Sequence, residues 1–231
     1  MNQVIVDALD GITLVAAGPV SARDLQIARR RAPVVVAVDG GADRALGLGA
    51  EPVAVIGDLD SLGDAARHRL AGVLHPISEQ ETTDFDKALR SIRAPFVIAL
   101  GVLGGRLDHE LAALSTLVAQ TRRPVIALGR EDVAFAAPLH LVLTLRAGDR
   151  LSLFPFARVC GQSLGLDWPI DGLDFRPDGR IGTSNCVSDG EVSLRFDGAG
   201  VLVILPRNRL DAVLDALCPE WRQGRGAHRA G

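Results

Sequence analysis

Six aspartates stand at three places where an apolar run has just ended: Asp39 and Asp43 in DGGAD, Asp58 and Asp60 in IGDLDS, Asp84 and Asp86 in TTDFDKAL. Any one of these motifs is ordinary turn or helix-cap chemistry, because Asp beside Gly, Ser or Thr bonds nearby backbone. Three on successive strand ends are different. Carboxylates gathered at one edge repel one another unless a hard cation joins them, so the pattern reads as a magnesium site. Asp58 and Asp60 are two apart, and in an extended segment they point the same way and can share one Mg²⁺. Asp84 and Lys87 are three apart near a helix start, where backbone N–H groups favour phosphate oxygens and an ammonium adds a point charge. The same spacing also suits a plain surface ion pair.

Lys87 is the single lysine among 25 basic side chains, and tyrosine is absent. Strong arginine usage explains a rare lysine by chance; a site that needs a compact ammonium explains it equally. The run GVLGGRLDH, residues 101–109, joins an apolar strand to a helix. Its glycines permit close backbone approach and Arg106 can clamp phosphate, although the run is neither a Walker loop nor a GxGxxG fingerprint. Further along, GTSN at residues 182–185 has the composition of a turn, and Trp168 in GLDWP reads as a core aromatic.

The elements that must position these residues follow from periodicity. Apolar runs at 12–16, 34–38, 53–56, 73–77, 96–100 and 125–128 alternate with helical patterns at 26–31, 61–70, 83–92 and 108–120, and Ser21 is placed to cap the first helix. That rhythm predicts an α/β fold with a mostly parallel sheet and flanking helices, which binds ligands outside the carboxyl ends of its strands. After about Pro138 the pattern changes to runs at 139–145, 150–154, 191–196 and 201–205 separated by Gly, Asp, Pro and Asn, with Asp197-Gly198 as a hairpin-like turn. This half reads as an antiparallel β-sandwich closed by a short helix at 209–217. The expected division is therefore residues 1–137, residues 138–218, and a basic, Gly-rich disordered tail at 219–231.

Composition removes several classes. The chain has 231 residues, 48% hydrophobic and 23% charged, with a net charge of −3. No basic stripe of the kind that binds nucleic acid is present, and no apolar stretch reaches the roughly 20 residues of a membrane span. The N-terminus lacks a basic region ahead of an apolar core, so a cytoplasmic location is expected. Cys160, Cys186 and Cys218 have no metal-type spacing and read as ordinary buried thiols.

DGGAD, GDLDS, TDFDKAL, GGRLDH and GTSN, in that order over about residues 12–206, resemble the thiamine pyrophosphokinase family. The resemblance implies an α/β nucleotide-binding domain followed by a β-sandwich, in a homodimer with active sites between subunits. It implies transfer of the diphosphoryl group of ATP to the hydroxyl of thiamine, releasing AMP. It further implies that Asp58, Asp60 and Asp84 bind Mg²⁺, that Asp39 and Lys87 arrange the polyphosphate, and that Gly104, Gly105, Arg106 and Asp108 line the nucleotide side. Gln80, Trp168, Ser184 and Asn185 would contact thiamine, the last three from the partner subunit; Asp86 and His109 take no assigned role. Such chemistry needs positioning and cations more than a protein nucleophile. Two alternatives use the same residues: a diphosphokinase acting on a hydroxymethyl pterin or other alcohol, and a non-catalytic sensor of thiamine diphosphate or a nucleotide.

Overall fold

The computed structural model describes residues 4–120 and 122–222. A two-residue strand, β1 (Val6–Asp7), precedes β2 (Ile12–Val15), and helix and strand then alternate as α1 (Ala22–Arg29), β3 (Val34–Val38), α2 (Gly41–Gly47), β4 (Ala54–Gly57), α3 (Asp64–Arg69) and β5 (Leu74–Pro76). The alternation continues through α4 (Asp84–Arg90), the two-residue β6 (Ile92–Arg93), β7 (Val97–Leu100), α5 (Leu107–Ala119) and β8 (Val125–Leu128). From there the chain is nearly all strand: β9 (Asp132–Ala136), β10 (His140–Thr144), β11 (Arg150–Pro155), β12 (Val159–Leu164), β13 (Asp174–Phe175), β14 (Gly182–Cys186), β15 (Glu191–Phe196) and β16 (Val201–Pro206). Helix α6 (Leu210–Leu217) follows.

The large sheet has ten strands in the order β14-β11-β16-β9-β8-β7-β2-β3-β4-β5. From β8 to β5 every pairing is parallel; from β8 to β14 every pairing is antiparallel. The fold is thus mixed α/β with one large mixed sheet, a four-stranded antiparallel sheet, β10-β15-β12-β13, and a two-stranded parallel pair, β1-β6. Parallel and antiparallel halves share a single sheet across residues 137 and 138, because β9 turns back beside β8 and offers its free edge to β16.

The β-branched run at 34–38 lies between β2 and β4 with Val35 to Val38 buried, and each such valine contributes about 1.5–3 kcal/mol. Alternate residues of the sheet feed two cores. Leu14, Val36 and Val97 pack with Phe85, Leu89 and Leu117 of α4 and α5. Val15, Val35 and Ile98 pack with Leu25 of α1, Val213 and Leu214 of α6, and Leu141, Leu143, Val192 and Leu194 of the smaller sheet. Ser21 caps α1 in a complete capping box with Asp24.

Several expectations need correction. DGGAD does not merely end a strand: Gly41 opens α2, and a Cβ there would come within 2.1 Å of the Val15 carbonyl, so glycine lets the helix sit on the end of β2. Asp132–Ala136, the strand that joins the two halves, is not among the expected strands although Val133 to Ala137 is an unbroken apolar run. GTSN is strand β14, paired with β11 through a register shift between Leu151 and Leu153; its polar composition suits an edge strand with an irregular ladder. Asp197-Gly198 does not close a hairpin, since β15 and β16 belong to different sheets and the segment crosses between them. Cys160 is exposed rather than buried, while Cys186 and Cys218 are partly covered. At the C-terminus, Trp221 is buried edge-on against Phe96 with ring centroids 6.5 Å apart, so the packed chain reaches this tryptophan; residues 223–231 lie outside the described residues.

Candidate active site

Three loops leave the carboxyl ends of β3, β4 and β5 and bring their carboxylates together. Asp39 follows β3 with φ 45°, a left-handed conformation that non-glycine residues rarely adopt, and its N–H donates to the Ile56 carbonyl at 3.1 Å. Its side chain is 8% exposed, and Oδ1 is buried with no hydrogen-bond partner among the described residues. Burial pushes the Asp39 carboxyl up, and the charges of Asp84 and Asp60 push the same way against hydrogen bonds from Gly40 and Ser61. Gly57, which ends β4, has no Cβ to meet Asp39 Cβ at 3.0 Å and Asp84 Cγ at 3.3 Å, so the two loops close over it.

Asp58 and Asp60 are not presented on an extended segment. Leu59 between them has φ 66°, and the Asp60 N–H folds back to Asp58 Oδ1 at 3.2 Å. A tight turn therefore replaces the strand geometry expected from their spacing, yet it still places both carboxylates with Asp39. One oxygen from each of Asp39, Asp58 and Asp60 lies within 4.8 Å of the others. The Asp60 N–H, the Gln80 side chain and the Lys87 ammonium together hold the Asp58 carboxyl below its ordinary value.

Asp84 opens α4 behind the N-cap Thr83 and joins this group from the side. Its Oδ1 accepts from the Asp58 N–H at 3.1 Å and from Lys87 Nζ at 2.9 Å. Lys87 is only 2% exposed, which removes the surface ion-pair reading. A buried ammonium beside carboxylates is a fixed cation whose partner cannot be lost cheaply.

The glycine-rich run lies at a different strand end. The sheet order reverses between β2 and β7, and there the Gly18 N–H donates to the Gly101 carbonyl at 3.1 Å. A Cβ on Gly18 would come within 2.3 Å of that oxygen, so the backbones meet at a topological switch point, the usual ligand crevice of such sheets. A cleft of about 1070 Å³ opens here, lined by Gly101, Gly104, the guanidinium-bearing Arg23, Arg44, Arg130 and Arg207, and the carboxylates of Asp24, Glu110, Glu131 and Asp132, of which Asp24 and Glu131 pair with Arg207 and Arg130. Gly105, Arg106 and Asp108 stand exposed outside this lining. Arg106 and Asp108 pair through two hydrogen bonds of 3.1 and 2.6 Å, which lower the Asp108 carboxyl. The cleft arginines escaped the sequence reading because they are scattered over four segments; their only local signal is position just beyond an apolar run.

Trp168, Ser184 and Asn185 come together in the antiparallel half. Asn185 Nδ2 donates to the Trp168 carbonyl at 2.6 Å and its Oδ1 accepts from the Trp168 N–H at 3.2 Å, so this buried amide fastens the Trp168 loop. Trp168 itself is 61% exposed, which overturns the expectation of a core aromatic. Ser184, at φ 57°, donates its N–H to Ser152 Oγ at 3.0 Å. These three do not reach the acidic cluster along the chain's own sheet: β14 and β4 are eight strand positions apart, about 38 Å at 4.8 Å per strand. Gln80, in contrast, sits near the acidic cluster, where its side chain helps lower the Asp58 carboxyl.

The class defined by this fold is an α/β protein with its candidate site outside the carboxyl ends of a parallel sheet. A family model described as thiamin pyrophosphokinase, catalytic domain, matches residues 26–127. A thiamine pyrophosphokinase of Oryza sativa subsp. japonica is 27% identical over 214 residues, covering 77% of this chain and 81% of that protein. One from Arabidopsis thaliana is 26% identical, covering 64% of this chain and 62% of that protein. Among solved structures, thiamin pyrophosphokinase from Geobacillus thermodenitrificans superposes with a TM-score of 0.69 at 23% identity, covering 85% of this chain and 96% of that one. The yeast enzyme gives 0.71 at 18% identity over 90% of this chain and 89% of that one. Residues 26–127 are thus similar to the catalytic domain of thiamin pyrophosphokinases, and the fold is shared with solved structures of that name.

Proposed function

We propose that this protein is a thiamine diphosphokinase, which moves the diphosphoryl group of ATP to the hydroxyl of thiamine and releases AMP. The observation that carries the reading is the juxtaposition, in a chain similar to thiamin pyrophosphokinases over residues 26–127, of three carboxylates within 4.8 Å and a buried lysine beside them. The residues fit a divalent cation: Asp39 Oδ1 is buried without a hydrogen-bond partner, and oxygen-only ligands are those that Mg²⁺ takes. Asp58, Asp60 and Asp84 are assigned as ligands, with Asp39 supplying a further oxygen beside those of Asp58 and Asp60. When bound, the cation neutralises charge that develops on the transferring phosphoryl groups. Lys87 adds a fixed ammonium on the same side. The cleft with Gly101, Gly104 and four guanidinium groups supports placing the nucleotide there, with Gly105, Arg106 and Asp108 at its rim.

Gln80 at the acidic cluster and Trp168, Ser184 and Asn185 on the far half are assigned to thiamine. An exposed indole attracts the cationic thiazolium by about 0.5–2 kcal/mol. The separation of about eight strand spacings along one sheet supports a homodimer in which the second copy brings its Trp168 to the first copy's carboxylates. Residues 1–137 then serve metal, most of the nucleotide and, through Gln80, part of thiamine, while residues 138–218 bring the other thiamine contacts and add Arg207 to the cleft. The test is AMP formation from ATP with thiamine against a hydroxymethyl pterin as acceptor. AMP with thiamine alone supports the reading; AMP with the pterin alone, or tight thiamine diphosphate binding without AMP, replaces it.

A further inference from the structure

Residues 78–83 carry Gln80 from β5 to the helix that holds Asp84 and Lys87, and they do so without regular secondary structure. Polar contacts fasten the segment instead, and they converge on Arg90 in the last turn of α4. Arg90 Nη2 donates to Glu79 Oε1 and to Thr82 Oγ1, each at 2.7 Å, while Nε lies 2.7 Å from Asp86 Oδ2. Thr82 Oγ1 also donates to Glu79 Oε1, and Glu79 Oε2 accepts the Glu81 N–H at 2.9 Å. These partners draw the Glu79 carboxyl down to about 2, so the clamp stays charged at any working pH.

Gln80 lies between Glu79 and Glu81, which are both held, and its side chain is near enough to the Asp58 carboxylate to help hold it below its ordinary value. Fixing the backbone on both sides of an exposed glutamine fixes where its amide points. A guanidinium suits the task because its planar fork can serve two acceptors on the loop and a third group on the helix at once. Nothing else in the described segment ties the loop to α4 at so many points.

We propose that Arg90 is a positioning residue for the transfer reaction, clamping Glu79, Thr82 and Asp86 so that Gln80 is held at Asp58 to receive the acceptor alcohol. This rests on the thiamine diphosphokinase reading. Loss of the clamp frees Gln80 without touching the nucleotide cleft, so the effect falls on the acceptor.

The experiment is steady-state kinetics and amide hydrogen exchange on the full chain carrying Arg90→Ala, Arg90→Lys or Glu79→Gln. In Arg90→Ala, KM for thiamine rises about tenfold, the loss of one charge-assisted hydrogen bond, while KM for ATP stays within about twofold. Arg90→Lys recovers part of the loss, because an ammonium reaches one carboxylate but cannot fork. Glu79→Gln moves thiamine KM in the same direction by a smaller factor, and serves where Arg90→Ala fails to fold. Exchange speeds up in residues 78–83 and stays slow in the buried face of α4. Unchanged thiamine KM, or parallel rises in both KM values with a lowered melting temperature, overturns the proposal. If the parent chain forms no AMP from ATP and thiamine, the functional reading fails; unaltered exchange in residues 78–83 refutes the clamp by itself.

Discussion

The acidic edge of the parallel half and the Trp168 face of the antiparallel half are built on opposite principles. At the acidic edge the charged groups are already assembled: Lys87 and Asp39 are buried, and loops from three strands close on one another over Gly57. On the other face the apolar groups are left outside, with Leu164, Trp168 and Ile181 all exposed. Both regions carry local strain. Asp39, Leu59 and Ser184 are the non-glycine residues with left-handed backbone among those described, and each such residue costs about 1–3 kcal/mol. Strain in the first region brings carboxylates together, and in the second it sets an edge strand beside an exposed indole. The contrast teaches that one chain holds a finished charge constellation and an unfinished apolar one, the division that the proposed site between two copies would require.

Sharper tests of this contrast come from substitutions on each side. Lys87→Arg should have the largest effect, lowering kcat about 10²-fold, since a guanidinium cannot occupy a fully buried pocket shaped around an ammonium without moving Asp84. Steady-state turnover of a variant with native circular dichroism checks it, and parent-like kcat would leave arginine-rich codon usage as the whole reason for this lysine.

Trp168→Ala should act on binding and not on folding. Thiamine KM is expected to rise between a few-fold and about thirtyfold, the range of a partly desolvated cation–π contact. Its melting temperature should stay near that of the parent, because the indole is already in solvent. Trp221→Ala is the converse control: it removes a buried ring from Phe96, costs about 3–5 kcal/mol of stability and leaves thiamine KM unchanged. Thermal melts beside the two KM values separate the pair.

The smallest effect concerns acid stability. Burial alone would raise Asp149, but bonds from the Arg209 guanidinium and the Arg146 N–H outweigh it and hold the carboxyl below 3.8. The folded value is therefore depressed, so the stabilisation is complete above the unfolded value and is lost as pH falls through the folded one. Asp149→Asn should cost about 1.5 kcal/mol near neutrality, roughly 3–6 °C in Tm, and the gap to the parent should narrow below about pH 4. A gap that stays constant down to pH 2 would show the pair contributes through shape and not charge.

The parallel half was legible because buried parallel strands read as unbroken apolar runs and each functional loop begins where such a run stops. The acidic residues stood out for that reason, although their turn geometry did not: the left-handed Leu59 leaves no mark in composition. Strand β9 and edge strand β14 were harder, since Asp132–Ala136 owes its place to β8 and β16 on either side, and Gly182–Cys186 is polar because an edge tolerates it. Exposure of Trp168 could not be read locally either, as the same ring in a loop serves a core or a surface. The cleft arginines come from distant segments and are collected only by the sheet order.

The proposed transfer depends most on the carboxylates of the turn after β4 acting through a divalent cation. The direct measurement is AMP formation from ATP and thiamine by the parent, Asp58→Asn and Asp60→Asn chains across a Mg²⁺ titration, with melting curves for each. The amide keeps the shape and discards the charge, so turnover should fall by roughly hundredfold or more in both variants with Tm within about 3 °C of the parent, and chelation should abolish parent activity. Near-parent turnover by both variants at saturating Mg²⁺ would contradict the account.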